Sequence, residues 1–182
     1  MRRSTKNLVR NLERTKDRRM MLVRKYLNHY GIRVGKWYPH WTEAKPDQPI
    51  TYEACFETHR VFIPIPVDDY SFYVCMHEIG HLVTGSSNYA YQQEWKAEQW
   101  SLKKCKQYGY YTKTLEKEAK AYVLKHLYED MILRGYDVSK VPQKVMNWMD
   151  RDVKRVTNGA IRWANKWSRE LMSLSMQGEL TA

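Results

Sequence analysis

Long apolar runs are absent from this 182-residue chain, and their absence excludes a large class of proteins. A membrane-spanning helix needs about 18 or more consecutive apolar residues, and no stretch of the chain approaches that length. The arginines at the amino terminus are not followed by the apolar segment of a secretory signal peptide. We therefore expect no membrane span, and we expect the protein to be cytoplasmic.

Cysteine is also scarce, because the chain contains only Cys55, Cys75 and Cys105. Disulfide frameworks usually have an even number of cysteines, and cysteine-based zinc sites usually contain CxxC pairs. The three cysteines meet neither condition. We therefore expect reduced thiols, as in proteins of a reducing compartment.

Positive charge is plentiful, with a formal net charge of +11, and it lies mainly at the two ends of the chain. Residues 1–30 contain ten Lys and Arg against two acids, whereas residues 31–139 are close to neutral. We predict a basic helix over residues 1–30, a core over residues 31–135, and helices over residues 136–182 that pack on or extend the core. The basic helix can bind nucleic acid, an acidic partner or anionic lipid, but it can equally be a solvated surface helix.

The most informative motif is HEIGH at positions 77–81, with two histidines four residues apart and a glutamate after the first. On a helix, residues i and i+4 share a face, so His77 and His81 can bind one metal ion. Glu78 lies about 100° further round the helix, where it can contact a metal-bound water without binding the metal. Asp68 or Asp69 can begin such a helix, and the Gly-Ser-Ser-Asn segment at positions 85–88 can end it.

A catalytic zinc site needs a third protein ligand. The extended motif HExxHxxGxxH is not present, because Thr84 and Ser87 stand at the positions of its glycine and third histidine. Glu94 and Glu98 lie four residues apart on a second predicted helix. One of them can bind the metal while the other hydrogen-bonds a ligand imidazole, or both can belong to a solvated helix face.

The segment HEIGHLV that begins at His77, followed by EWKAE from Glu94, resembles the glutamate-type zincins. More narrowly, it resembles the ImmA/IrrE-like zinc metallopeptidases and related small peptidases of phages and mobile elements. The resemblance covers about residues 50–130. It implies a zincin-like fold and Zn²⁺ bound by His77, His81 and Glu94. It also implies that Glu98 hydrogen-bonds a ligand histidine.

Patterns along the chain predict an α+β fold that is mostly helical, with a small antiparallel sheet preceding the active-site helix. Segments rich in β-branched and aromatic residues predict strands over residues 32–38, 50–56 and 60–65. Apolar residues at helical spacing predict helices over residues 92–107 and 114–133, a helix opened by Ser139 and Pro142, and a helix over residues 161–174.

The sequence thus predicts a zinc metallopeptidase that hydrolyses a peptide bond in a specific protein partner. Glu78 would act as the general base on a zinc-activated water. The candidates for stabilising the oxyanion stay unranked and are Arg60, Tyr89, Tyr91, Tyr122 and His126.

Two alternatives stay open. The first is a nucleic-acid- or protein-binding module with a structural or vestigial metal site, which the intact Glu78 and the lack of a fourth ligand disfavour. The second is a DNA-recruited SprT-like protease. That family normally has a further histidine downstream of HExxH, and the chain has none at a suitable distance, since the next is His126.

Overall fold

The computed structural model describes residues 17–39 and 52–149, which form a mostly helical α+β structure. Its elements in chain order are α1 (17–29), β1 (Arg33–Tyr38), β2 (Glu53–Cys55), β3 (Arg60–Pro64), α2 (Asp69–Thr84), α3 (Ala90–Tyr108), α4 (Lys113–Arg134), a 3₁₀ turn (Val138–Lys140) and α5 (Gln143–Met149). None of the helices described is both long and apolar enough to cross a bilayer. The chain divides into two compact units, one up to Ala119 and one from Lys120.

The small sheet is mixed, so the prediction of an antiparallel sheet is wrong for one of its two pairs. The strand order is β1-β3-β2, in which β2 pairs antiparallel with β3 and β1 pairs parallel with it. The turn at residues 56–59 joins β2 directly to β3 and fixes their opposite directions. No tight turn joins β1 to β3, so residue composition revealed both strands but not their relative direction.

Helix α1 packs an apolar face on the first unit and turns its charges outward. Its buried residues are Leu22, Val23, Tyr26 and Leu27. Arg19 donates to the carbonyl oxygen of Val67 and pairs with Asp69 at the start of α2. The predicted basic helix over residues 1–30 is thus observed in part, and residues 1–16 lie outside the described residues, as does the helix predicted over residues 161–174.

Helix α2, which carries the HEIGH segment, has well-defined ends. Asp68 is the N-cap: its Oδ1 accepts from the Ser71 backbone N–H at 2.7 Å, and Ser71 Oγ accepts from the Asp68 N–H at 3.0 Å. This reciprocal pair is a capping box. The helix ends at Gly85, whose positive φ of 77° suits glycine. The predicted start and end of the motif helix therefore agree with the structure.

All residues of α2 from Ser71 to His81 are buried, because the helix lies between the sheet and α3. Val61 and Ile63 of β3 are fully buried in this core. A central helix of this kind excludes bulk water from most of its side chains. Polar groups on it therefore need partners within the protein.

The second unit has a small core of its own. It contains the rest of α4, the 3₁₀ turn and α5, and its buried apolar residues include Val123, Leu127, Val141, Val145 and Met149. The prediction that Ser139 and Pro142 precede a further helix agrees with α5, which begins at Gln143.

Candidate metal centre

The candidate site lies where α2 and α3 approach most closely. A Cβ atom added to Gly80 would lie 3.1 Å from the backbone oxygen and 3.3 Å from the Cα of Ala97. Two small residues thus let the helix backbones approach. His77 and His81 lie three residues before and one residue after Gly80, and a glutamate pair has the same offsets from Ala97. The helix crossing therefore brings the histidine pair next to the glutamate pair.

Three potential ligand atoms face one another at this crossing. Glu94 Oε2 lies 3.1 Å from His77 Nε2 and 3.3 Å from His81 Nε2. The two Nε2 atoms are 3.0 Å apart. His77 and His81 are 7% and 6% exposed, and Glu94 is half-buried, so the two histidines are shielded from solvent more fully than the glutamate.

This arrangement fits a tetrahedral zinc ion. Nitrogen and oxygen ligands lie about 2.0–2.2 Å from zinc, which puts neighbouring ligand atoms of a tetrahedron about 3.3 Å apart. The buried Glu94 Oε2 accepts no well-aligned hydrogen bond from the described residues, although two ring nitrogens lie within 3.3 Å of it. A metal cation explains the close approach of these three atoms better than a proton does, because a cation can bind a lone pair from each of them at the same time.

Glu98 lies on the other side of His77. Its Oε1 is 3.2 Å from His77 Nδ1, an ion-pair distance without ideal hydrogen-bond alignment. The Tyr73 hydroxyl donates a hydrogen bond to Glu98 Oε2 at 2.6 Å, and Ser101 Oγ lies 3.4 Å from the same oxygen. Sequence reasoning missed Tyr73. The signal was its position four residues before His77, which puts both side chains on one face of α2.

Glu78 lies directly beside the ligands along α2 and is 7% exposed. Burial raises its pKa above the ordinary value, while the neighbouring His77 and His81 act in the opposite direction. A carboxylate with a raised pKa binds a proton more readily. Glu78 thus has the chemistry of a general base and lies next to the candidate metal ligands.

The two carboxylates control the protonation of His77. Burial acts to lower the pKa of His77, but the carboxylates of Glu94 and Glu98, at 3.1 and 3.2 Å from its two ring nitrogens, outweigh burial and raise that pKa well above the ordinary value. Burial also acts to raise the pKa of Glu94, and both histidines outweigh it, so that pKa is strongly lowered. Glu94 is therefore ionised at neutral pH, as a metal ligand must be.

The five candidates for oxyanion stabilisation stay unranked. Tyr91 is fully buried, and its hydroxyl accepts from Gln92 Nε2 at 2.9 Å. Arg60 is exposed at the start of β3, and Tyr89 is the residue that precedes α3. Tyr122 and His126 belong to the second unit, in which His126 Nδ1 pairs with a Glu129 oxygen at 2.9 Å.

No protein-family model, curated protein or solved structure matches the chain. The residues of the site and their geometry are therefore the basis for assigning a function.

Proposed function

We propose that the protein is a zinc-dependent metallopeptidase that hydrolyses a peptide bond in a protein partner. The observation that carries the proposal is the convergence of His77 Nε2, His81 Nε2 and Glu94 Oε2, which lie 3.0–3.3 Å apart. Within the described part of the chain, the ligand group contains these three residues and no fourth. Three protein ligands and one open position are typical of catalytic zinc, whereas structural sites are closed by a fourth ligand.

Each residue has a role in the proposed reaction. His77, His81 and Glu94 would hold the ion, and Glu98 would orient His77 through its other ring nitrogen. A bound zinc ion supplies a Lewis acid that polarises the scissile carbonyl and lowers the pKa of water. Glu78 takes a proton from the attacking water and then gives it to the leaving amine.

The zincin-like fold and the cytoplasmic location are parts of the same proposal. The fold is supported by a sheet that precedes the HEIGH helix and by a second helix that carries both glutamates. The location is supported by three cysteines that form no disulfide with one another. The resemblance of the HEIGHLV and EWKAE segments to glutamate-type zincins supports the reaction class.

The variant Glu78→Gln tests the mechanism. The amide cannot accept the proton of the water, so turnover should fall by about 100-fold or more, the usual contribution of a general base. Zinc content should be unchanged, because Glu78 is not a ligand. The measurement is the appearance of new peptide N-termini, by mass spectrometry, after incubation of wild type and variant with a proteome-derived peptide library and with cell lysate proteins.

Cleavage that persists at the wild-type rate in zinc-loaded Glu78→Gln would refute the proposed role of Glu78. Zinc-loaded wild-type protein that generates no new N-termini in either mixture would instead favour the binding-module alternative.

A second candidate function is nucleic-acid binding, and the charge of α3 favours it. The only acids of α3 are Glu94 and Glu98, which both belong to the metal site. Lys103 and Lys106 are exposed on that helix, and α1 exposes further cations. The two helices are neighbours, since Lys104 Nζ of α3 lies 4.7 Å from the ring centre of Tyr26 of α1. Cations on adjacent helices suit a polyphosphate backbone.

A further inference from the structure

A buried chain of polar groups leads from the metal site into the protein interior. It begins at His77 Nδ1, passes through the carboxylate of Glu98 and ends at the hydroxyl of Tyr73. Glu98 and Tyr73 are 2% and 6% exposed. At that depth, water is not at hand to replace a lost hydrogen bond, so each group depends on its neighbour in the chain.

We propose that Tyr73 is a positioning residue, which fixes the Glu98 carboxylate so that His77 turns its Nε2 towards the metal. The inference rests on the proposed function, because it requires His77 to bind a metal ion through Nε2.

The direction of the hydrogen bond between Tyr73 and Glu98 supports this role. Burial, followed by the negative charge of Glu98, raises the pKa of Tyr73 far above the ordinary value, so the hydroxyl keeps its proton and donates a hydrogen bond to Glu98 Oε2. Tyr73 thus contacts Oε2 of Glu98, while the other oxygen, Oε1, lies 3.2 Å from His77 Nδ1. A proton held on Nδ1 by a carboxylate leaves the lone pair of a neutral imidazole on Nε2, where the metal binds.

The positions along the helices also support it. Tyr73 precedes His77 by four residues on α2, so both side chains lie on the face that meets α3. Ser101 Oγ is a weaker second contact to Glu98, at 3.4 Å from Oε2. Tyr73 is therefore the closest donor to that oxygen among the described residues. If Tyr73 were only a packing residue, removing its hydroxyl while keeping its ring would leave zinc affinity unchanged.

The variant Tyr73→Phe removes the hydroxyl and keeps the ring. Zinc binding to the metal-stripped, full-length chain is measured by competition with a chelating dye, and thermal unfolding of the stripped protein is followed in parallel. We expect the zinc dissociation constant to rise about 3–10-fold, which is less than the 10–100-fold typical of residues that hydrogen-bond a ligand directly. Tyr70→Phe is the matched control, since Tyr70 is 46% exposed on the same helix, and it should leave zinc affinity unchanged.

A double-mutant cycle with Glu98→Gln separates positioning from packing. If Tyr73 acts through Glu98, Tyr73→Phe should have little further effect in the Glu98→Gln background. The same loss of zinc affinity in both backgrounds would overturn the inference, and so would a wild-type zinc affinity in Tyr73→Phe itself. Tyr73→Met, which also fills the space without a hydroxyl, serves as a second variant if Tyr73→Phe does not fold.

The outcomes also separate this inference from the proposed function. A wild-type chain that binds no zinc would refute the metal site, and Tyr73 would then have no metal ligand to position. Equal zinc affinities of the wild type and Tyr73→Phe would refute only the role of Tyr73.

Discussion

At the residue scale, His77 is a candidate ligand with a carboxylate next to each of its two ring nitrogens. Its Nε2 lies 3.1 Å from Glu94 Oε2, and its Nδ1 lies 3.2 Å from Glu98 Oε1. These two negative charges favour a protonated imidazole in protein from which metal has been removed. A metal ion must therefore compete with a proton for His77.

The first prediction concerns this competition. Because the pKa of His77 is raised, the metal-stripped protein should carry a proton there at pH 7, and zinc should release about one proton on binding. Glu94 contributes none, since its pKa is lowered. Zinc affinity should thus fall as pH decreases below the raised pKa of His77. Calorimetric titration in buffers of different ionisation enthalpy measures the released protons, and a binding enthalpy that is independent of the buffer would contradict the prediction.

The second prediction ranks the two glutamates. Glu94→Ala removes a ligand and should reduce zinc affinity by well over 100-fold, whereas Glu98→Ala should reduce it about 10–100-fold, because Glu98 only holds a ligand imidazole. Glu118→Ala, at an exposed position of α4, is the control and should have no effect. Competition with a chelating dye measures all three, and the reverse order of the two glutamates would transfer the ligand role to Glu98.

At the element scale, the site depends on one helix crossing. The segments HEIGH and EWKAE both contain a small residue with polar residues three positions before it and one position after it. In the structure, these small residues are Gly80 and Ala97, and they mark the contact between α2 and α3. The geometry of the candidate metal site is therefore a property of the way these two helices pack.

The third prediction is that Gly80→Val disrupts both packing and metal binding. A Cβ atom at this position already lies 3.1 Å from the Ala97 oxygen, and a branched side chain must push α3 away. Overpacking typically costs about 1–3 kcal/mol, which exceeds the gain in helix propensity of less than about 1 kcal/mol. Ala121→Val, at an exposed position of α4, should cost only about half a kcal/mol.

Chemical unfolding and zinc titration of both variants measure these effects. A Gly80→Val variant with the stability and zinc affinity of the wild type would show that the close approach of the helices is not required.

Many of the helices and strands could be predicted from the sequence, whereas their long-range contacts could not. The capping signal at Asp68 and the glycine at position 85 are local, so both ends of α2 could be predicted. The parallel pairing of β1 with β3 and the contact of Tyr73 with Glu98 are long-range. Local composition and spacing carry no information on which distant element a residue meets.

At the scale of the whole molecule, charge is segregated from the proposed chemistry. Glu78 and Glu98 are buried and Glu94 is half-buried, whereas the exposed surfaces of α1 and α3 are rich in Lys and Arg. Such a surface raises the local concentration of polyanions. If this surface recruits the protein to nucleic acid, it can do so without any contribution from the candidate metal site.

The fourth prediction tests that surface. If it binds nucleic acid, replacing Arg24, Lys25 and Lys103 by Gln should flatten the salt dependence by about 0.9 in the log–log slope for each lost contact with duplex DNA. Zinc content should not change, because none of these three residues belongs to the candidate ligand group of His77, His81 and Glu94. The control is Lys117→Gln, at another exposed position.

Fluorescence anisotropy with labelled single-stranded and duplex oligonucleotides measures the affinity over a range of salt concentrations. Undetectable binding at low salt would refute nucleic-acid recruitment and favour an acidic protein partner or a purely solvated surface.

The most direct test of the central claim is the metal content of the full-length chain purified without added zinc. Elemental analysis should find about one zinc per chain, removed by a chelator and restored by zinc alone, as expected for one site with three protein ligands. The His77→Ala variant should retain almost none while keeping its helical circular dichroism. A wild-type chain that contains no zinc and takes none up, or a His77→Ala variant that keeps a full equivalent, would contradict the assignment of His77, His81 and Glu94 as a metal site.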